Sequence, residues 1–360
     1  MNWEEFRLSK RLNFSGAETA ELYRLLADID SVKKGWGIVG KFQPATVDRF
    51  IQSVIVTSTG ASNRIEGNRL SDEEVEELYH NLRIQKLKTR DEQEVAGYLE
   101  MLQLIFGNLA ELELNESLIL DFHSKMLRHC EKDERHRGRY KFGSNRVEAK
   151  DAAGNVIGVI FDPTPPHLVE KEIRELLDWY LWARENEFRH PLLLLGNFLF
   201  EYLAIHPFQD GNGRTSRLLT NFLLLKEGYE FAKVISHEKL IEGNKADYYR
   251  ALNVTQRSWK TENEDIAPWI RFFLTTLSIQ ANKALELLEA EDEEELLSLN
   301  QRRVLDVAVR SGSDGFNRGQ IIKELSLAPS TAEKAIRKLV AMGKVEKFGQ
   351  GRGTRYRVVQ

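Results

Sequence analysis

The run His206–Arg217, HPFQDGNGRTSR, places several kinds of chemistry side by side. His206 is the one group there able to take a proton near neutral pH. Asp210 is a hard oxygen ligand, suited to Mg²⁺ that bridges phosphates. Gly211, Asn212 and Gly213 form a turn that feeds a helical pattern. Such a turn presents free N–H groups and the positive end of the helix dipole, which makes an anion site, most naturally for phosphate. Arg214 and Arg217, three apart, share a helix face and add two fixed charges. The run thus carries a base, a metal ligand, an anion cradle and two phosphate clamps. A buried histidine in a polar loop would account for one of these features, not for all of them together.

The flanking sequence supplies the elements that must position these groups. Leu192–Ile205 is an apolar run that predicts a buried helix stopping at Pro207, and Thr215–Leu225 predicts a second helix. Upstream, Val47–Ser58 has helical spacing and leads into Ser62-Asn-Arg-Ile-Glu66-Gly67. Ser62 and Glu66, four apart, face the same way on a helix that Gly67 would end. A carboxylate in the last turn opposes the helix dipole and calls for a cationic partner. Glu18–Ile29 predicts a helix, and Lys33–Gly40 a glycine-rich turn with Trp36 in the core. Ser71 with Glu74, and Thr89 with Glu92, are capping boxes that open two more helices. Asn115–His129 is a further amphipathic helix, in which His123 reads as a core or semi-exposed histidine because no partner stands at metal spacing. Gly138–Ile160 changes to short β-type runs around the turn 151–155, predicting a hairpin inside a helical protein.

The motif resembles the signature of the Fic (filamentation-induced-by-cAMP) family, HPFx[D/E]GNGRxxR, at every fixed position. That resemblance implies transfer of AMP from ATP to a protein hydroxyl, with ATP and Mg²⁺ as cofactors. It implies that His206 is the base, that Asp210 holds the metal, and that Phe208 and Gly211–Gly213 belong to the nucleotide site. Arg214 and Arg217 would then contact the outer phosphates. The fragment Ser62–Gly67 is similar to the family's inhibitory motif, [S/T]xxxE[G/N], in which the glutamate pairs with the second motif arginine and blocks the γ-phosphate. Here that pair would be Glu66 and Arg217, in the class with an N-terminal inhibitory helix. The hairpin resembles the family's flap, which pairs with a target segment, and Ile157, Gly158, Val159 and Ile160 would form its nucleotide-side edge. Tyr248, Tyr249 and Gln256 resemble the residues that border the adenine.

Composition sets bounds. The chain has 360 residues, 42% apolar and 29% charged, with a net charge of −4. These are values of an ordinary globular protein of two or three domains. Cys130 is the single cysteine, which excludes an intrachain disulfide framework and a cysteine zinc site and fits a reducing compartment. The opening MNWEEFRLSK lacks the apolar centre of a signal peptide, and the longest apolar run is too short for a bilayer, so a cytoplasmic protein without membrane contact is expected. The net charge hides an asymmetry. Residues 300–360 hold 13 Lys and Arg against 5 Asp and Glu, a surplus of +8 that leaves −12 for the rest. The acidic run Glu289–Glu295 marks the boundary. Beyond it, three short helices and a glycine-tipped basic hairpin resemble a winged helix. Its third helix would offer Lys334, Arg337 and Lys338 to nucleic acid, and the same fold could instead serve protein contacts or dimerisation.

The reading is therefore a mainly α protein: a Fic-type helical core with a β-hairpin flap, plus a C-terminal winged helix-turn-helix domain. Residues 1–90 would be an N-terminal helical region with the inhibitory motif, 91–288 the catalytic domain and 296–360 the winged helix. The expected function is a protein adenylyltransferase autoinhibited by Glu66. Its partners would be a target protein with a Ser, Thr or Tyr hydroxyl (the chain itself included), DNA, and a second copy in a homodimer. The alternatives are AMP removal at the same site, or a DNA-binding regulator whose nucleotide site only senses.

Overall fold

The structure is a computed structural model, and it describes the chain apart from residues 1, 36–43, 83–85, 151–155, 291–296, 350–352 and 360. The turn expected around Trp36, the tip of the hairpin and most of the acidic run therefore lie outside the described residues. The fold is mainly helical. In chain order the helices are α1 (Arg7–Lys10), α2 (Gly16–Gly35), α3 (Pro44–Ile65), α4 (Asp72–Asn81), α5 (Arg90–Gly107) and α6 (Glu116–Met126). Strands β1 (Val147–Lys150) and β2 (Val156–Phe161) follow, then α7 (Pro166–Glu185), α8 (Pro191–Ile205), α9 (Asn212–Lys226), α10 (His237–Gly243), α11 (Lys245–Gln256) and α12 (Ala267–Ala290). The chain closes with α13 (Leu299–Ser311), α14 (Arg318–Leu325), α15 (Pro329–Ala341), β3 (Val345–Phe348) and β4 (Arg355–Val358).

By its internal contacts the chain divides into two compact units. The first comprises residues 1–68 and 86–286, the second residues 69–85 and 287–360. In the first, α8 is buried at every position from Leu192 to Ile205, because its apolar residues run all round the helix. Helix α9 packs beside it, with α5 and α6 against α9 and α7 against α8. Helix α3 lies on α5 and α10. It continues to Ile65, just short of the stop expected at Gly67, and Val56, Ala61 and Ile65 keep an apolar face turned inward. The local signals at α4 and α5 hold: Ser71 with Glu74 and Thr89 with Glu92 each make both bonds of a capping box. Strands β1 and β2 pair antiparallel, Val147 opposite Phe161 and Lys150 opposite Val156, so the hairpin interrupts the helical order where the β-type runs stand.

In the second unit, α13–α15 enclose a core of Val304, Ala308, Ile321, Ala332, Ile336 and Leu339, and β3 and β4 pair as an antiparallel hairpin. Helix α4, which the sequence assigns to the N-terminal region, packs on α15 in this unit. Three of its carboxylates hold it there, one at the start of α13 and two on α15. Glu73 accepts from Ser298 Oγ at 2.6 Å and Asn300 Nδ2 at 3.3 Å, Glu76 pairs with Lys338 at 2.5 Å, and Glu77 pairs with Lys334. Two of the three nucleic-acid candidates are thus ion-paired within the unit, and Arg337 is exposed. Among the described residues no helix is long and apolar enough to cross a membrane.

Candidate active site

The motif forms the junction between the two most buried helices. Helix α8 ends at His206, which takes a left-handed conformation (φ 53°, ψ 62°) with its N–H on Tyr202 O. Gly211, also left-handed, precedes α9, whose first intrahelical bond runs from Thr215 N to Gly211 O at 2.9 Å. The N–H groups of Asn212, Gly213 and Arg214 therefore stand at the helix start with no carbonyl of the preceding turn to take them. Free N–H groups at a helix start are the arrangement that suits an anion.

The loop is closed from inside. Asn212 Oδ1 accepts from Phe208 N and its Nδ2 donates to Phe208 O, both at 2.8 Å, with the side chain buried. The Asn212 side chain is thus a staple and only its backbone N–H remains for an anion. The Phe208 ring has no exposed surface and stacks on His123 at 3.7 Å, so it seats the loop and offers no face to a nucleotide. The sequence reading places both residues in the nucleotide site without assigning a part to either side chain.

His206 Nδ1 donates to Leu203 O at 3.2 Å, which leaves the Nε2 lone pair free to accept a proton. Burial, helped by the Lys141 charge, pushes its pKa down to about 4, against the pull of the Leu203 carbonyl, Glu66 and Asp210. The imidazole is neutral at physiological pH, the state a base requires. Asp210 receives Arg214 Nη2 at 3.1 Å and Arg90 Nη2 at 3.3 Å. Burial works against its charge, but Arg214, the Gly211 N–H and Arg90 outweigh it and hold the carboxyl below its ordinary range. Among the described residues no cluster of three or more His, Cys, Asp or Glu could hold a metal. A half-exposed single carboxylate does fit Mg²⁺ that arrives with a nucleotide, because Mg²⁺ commonly takes one or two carboxylates plus substrate phosphates.

The Ser62–Gly67 fragment meets the start of α9. Helix α3 ends in a Schellman pattern, with Asn68 N on Asn63 O and Gly67 N on Arg64 O, and Gly67 takes φ +99° as the turn demands. That turn aims Glu66 at Arg217. Nη2 of Arg217 donates to Glu66 Oε1 at 2.7 Å and to Ser62 O at 3.0 Å, while Nε donates to Ser62 Oγ at 2.8 Å. Burial lowers the Arg217 pKa, yet Glu66 outweighs it and the net shift is upward. Glu66 Oε1 also lies against Gly213, where any side chain would collide with it. A carboxylate therefore stands over the start of α9, where the N–H groups of residues 212–214 lie. Arg214 Nε and Arg217 Nη1 are buried without a hydrogen-bond partner.

The other expected residues are spread around this centre. Tyr248 is buried beside Arg217, which opposes the upward push of burial on its hydroxyl. Tyr249 is 38% exposed and meets Tyr248 edge-on at 5.1 Å. Gln256 is half-buried at the end of α11. Ile157–Ile160 lie in β2, whose backbone pairs with β1; their side chains are outside the described set. Sequence reasoning missed Arg90, Glu94, Lys141 and Asn145. Lys141 Nζ donates to Ile205 O at 3.2 Å, Lys141 N to Pro207 O at 2.9 Å, and Asn145 Nδ2 to His206 O at 3.2 Å and Phe208 O at 2.7 Å. No spacing in RYKFGSN announces this; only the change from helical to β-type pattern marked the segment as special.

The chain is similar to known proteins in sequence and in fold. Residues 113–224 match the model of the Fic/DOC family. The chain is 30% identical over 216 residues to a protein adenylyltransferase Fic of Nematostella vectensis, covering 59% of this chain and 44% of that one. It is 27% identical over 184 residues to a probable protein adenylyltransferase of Aquifex aeolicus, covering 44% and 53%. It spans about half the length of these relatives. Its fold is similar to a Fic family protein from Desulfovibrio desulfuricans G20, with a TM-score of 0.60 at 20% identity over 97% of this chain and 98% of that one. It is likewise similar to Fic-1 (residues 134–508) of C. elegans, with a TM-score of 0.59 at 21% identity over 76% and 74%. With every fixed position of the motif present and the helical fold shared, residues 113–224 carry a domain that matches the Fic/DOC family.

Proposed function

We propose that the chain transfers AMP from ATP to a hydroxyl of a protein and that Glu66 holds this activity down. The observation that carries the reading is the Glu66 carboxylate seated at the start of α9 on Arg217, an internal anion standing in for a phosphate group. In the reaction, the hydroxyl oxygen of a Ser, Thr or Tyr attacks the α-phosphorus of ATP. The bond from that phosphorus to the bridging oxygen breaks, pyrophosphate leaves, and the hydroxyl proton goes to His206 Nε2. The N–H groups of residues 212–214 and the two arginines hold the phosphates through preorganised donors. Asp210 would hold Mg²⁺ together with those phosphates, and the bound ion would neutralise their charge. Arg90 and Arg214 keep the carboxylate ionised for that role.

The free Nε2 of His206 favours transfer over a purely sensing site, since sensing needs no base. Intact mass after incubation with ATP and Mg²⁺ tests the proposal. The expected result is AMP added to the chain or to lysate proteins, increased in a Glu66→Gly variant; no addition by either form would overturn it. The same site can run AMP removal, with Glu66 orienting a water. Residues 296–360 are proposed to be a winged helix whose basic α15 face meets DNA.

A further inference from the structure

His123 has no place in the sequence motif, and its burial reads at first as ordinary core. Its contacts are of another kind. Gly138 N donates to Nδ1 at 2.9 Å, so Nδ1 is the acceptor and the ring proton lies on Nε2. Nε2–H then donates to the carbonyl of Asp210 at 3.0 Å. The ring lies parallel on Phe208, 3.7 Å between centroids and 0° between planes. Gly211 approaches the same ring, with space for a Cβ closed by Met126 and His123. One imidazole thus touches the motif at three of its residues from below, bridging it to the turn that begins the 138–145 segment. Lys141 and Asn145 of that segment tie the carbonyls of residues 205–208. Only His123 reaches the carbonyl of Asp210 among the described contacts. With the carbonyls turned back into the scaffold, the N–H groups at 212–214 are left facing the anion.

We infer that His123 is a positioning residue for this loop: its Nε2–H fixes the Asp210 carbonyl, and its ring props Phe208, so that the Asp210 carboxylate and the α9 N–H groups meet the phosphates together. The inference rests on the AMP-transfer reading for its effect on rate, but the predicted loop order does not depend on any reaction. A misplacement of about 1 Å at such a centre costs on the order of a hundredfold in rate. Phenylalanine at 123 keeps the stack and loses both hydrogen bonds. Glutamine restores a donor near Nε2 and loses the ring.

The test uses the full chain in the Glu66→Gly background, with His123→Phe and His123→Gln added singly. Three quantities are read: amide hydrogen exchange of peptides spanning 206–214, kcat for self-modification, and the Mg²⁺ concentration at half-maximal rate. His123→Phe should exchange about tenfold faster over 206–214 alone, lose ten- to a hundredfold in kcat, and need several-fold more Mg²⁺. His123→Gln should recover most of the Mg²⁺ requirement and of the exchange protection. Unchanged exchange over 206–214 in His123→Phe, or loosening spread evenly over all helices, would overturn the inference. Should His123→Phe not fold, His123→Gln decides: protection over 206–214 within about threefold of the parent supports it, and global loosening sinks it. If the Glu66→Gly parent transfers no AMP, the functional reading fails, and the exchange data still judge His123.

Discussion

Replacing Glu66 with glycine should raise AMP transfer, and the structure sets the scale. The carboxylate accepts from Arg217 Nη2 at 2.7 Å, and Arg217 is 2% exposed while Glu66 is 37% exposed. A hydrogen bond to a charged group contributes about 1.5–3 kcal/mol. Solvent reaches one side of this pair and screens it, so the lower half of that range applies. A nucleotide that must displace the carboxylate therefore forfeits roughly 1.5–2 kcal/mol, a factor of about 10–30 in apparent affinity. Glu66→Gly should recover that factor in kcat/KM for ATP. Glu66→Gln, which keeps the shape and removes the charge, should recover part of it.

The same substitution has a cost in the resting chain. It strips a buried arginine of its counter-charge, and breaking such a pair by removing one partner destabilises the fold. The Glu66→Gly variant should melt at a lower temperature than the parent without nucleotide and regain more of it with ATP and Mg²⁺. Adding Arg217→Ala should cancel the gain in transfer. Self-modification with labelled ATP, calorimetric ATP titration and thermal melts measure these effects side by side. Equal ATP affinity and equal transfer in parent and Glu66→Gly would refute the reasoning and return Glu66 to the role of a helix-end carboxylate.

His206→Ala should reduce transfer by about 10²–10⁴, the usual contribution of a positioned base, and leave nucleotide binding nearly intact because the phosphates rest on α9; full transfer by this variant would remove the base assignment. With its pKa pushed down to about 4, His206 should stay neutral when a histidine NMR titration is carried from pH 8 to pH 5, and a midpoint near 6.5 would contradict its burial. His123 and His237 are likewise held to about 4 by burial, so protons bind the unfolded chain first as pH falls below about 6.5. Stability should fall between about pH 6.5 and 4, and a melting temperature flat over that window would speak against three neutral imidazoles. Glu76→Gln with Glu77→Gln in the full chain should free Lys338 and Lys334, tighten duplex DNA binding and steepen the salt dependence of log K by up to about two, as measured by fluorescence anisotropy. An identical salt slope in parent and double variant would mean that α15 does not meet phosphate.

What the sequence reveals and what it hides divide along the range of the interactions. The capping boxes at Ser71 and Thr89, the stop at Gly67 and the turn before α9 are local: each partner stands within five residues of the other, so spacing alone reports them. The Glu66–Arg217 pair spans 151 residues, and it is legible only because both ends sit in motifs with a known pairing. His123 and Asp210 are 87 residues apart, and Asn145 and Phe208 are 63 apart. Neither pair has such a motif, and a buried histidine or a loop asparagine looks the same in sequence whether it fills space or holds a carbonyl. The seats of two side chains inside the motif, Phe208 and Asn212, are hidden for a related reason. A fixed motif position can be required because it touches the ligand or because it shapes the loop that does. Asn212 closes a ring of hydrogen bonds with Phe208 four residues away, and that geometry is settled only once Phe208 has its seat on His123. Lys334 and Lys338 repeat the lesson on the surface. A basic helix face reads as an open anion site until the fold brings Glu76 and Glu77, more than 250 residues earlier, against it. The side chains gathered in one short motif are therefore readable from spacing, whereas the ones that aim and screen them become visible only with the fold.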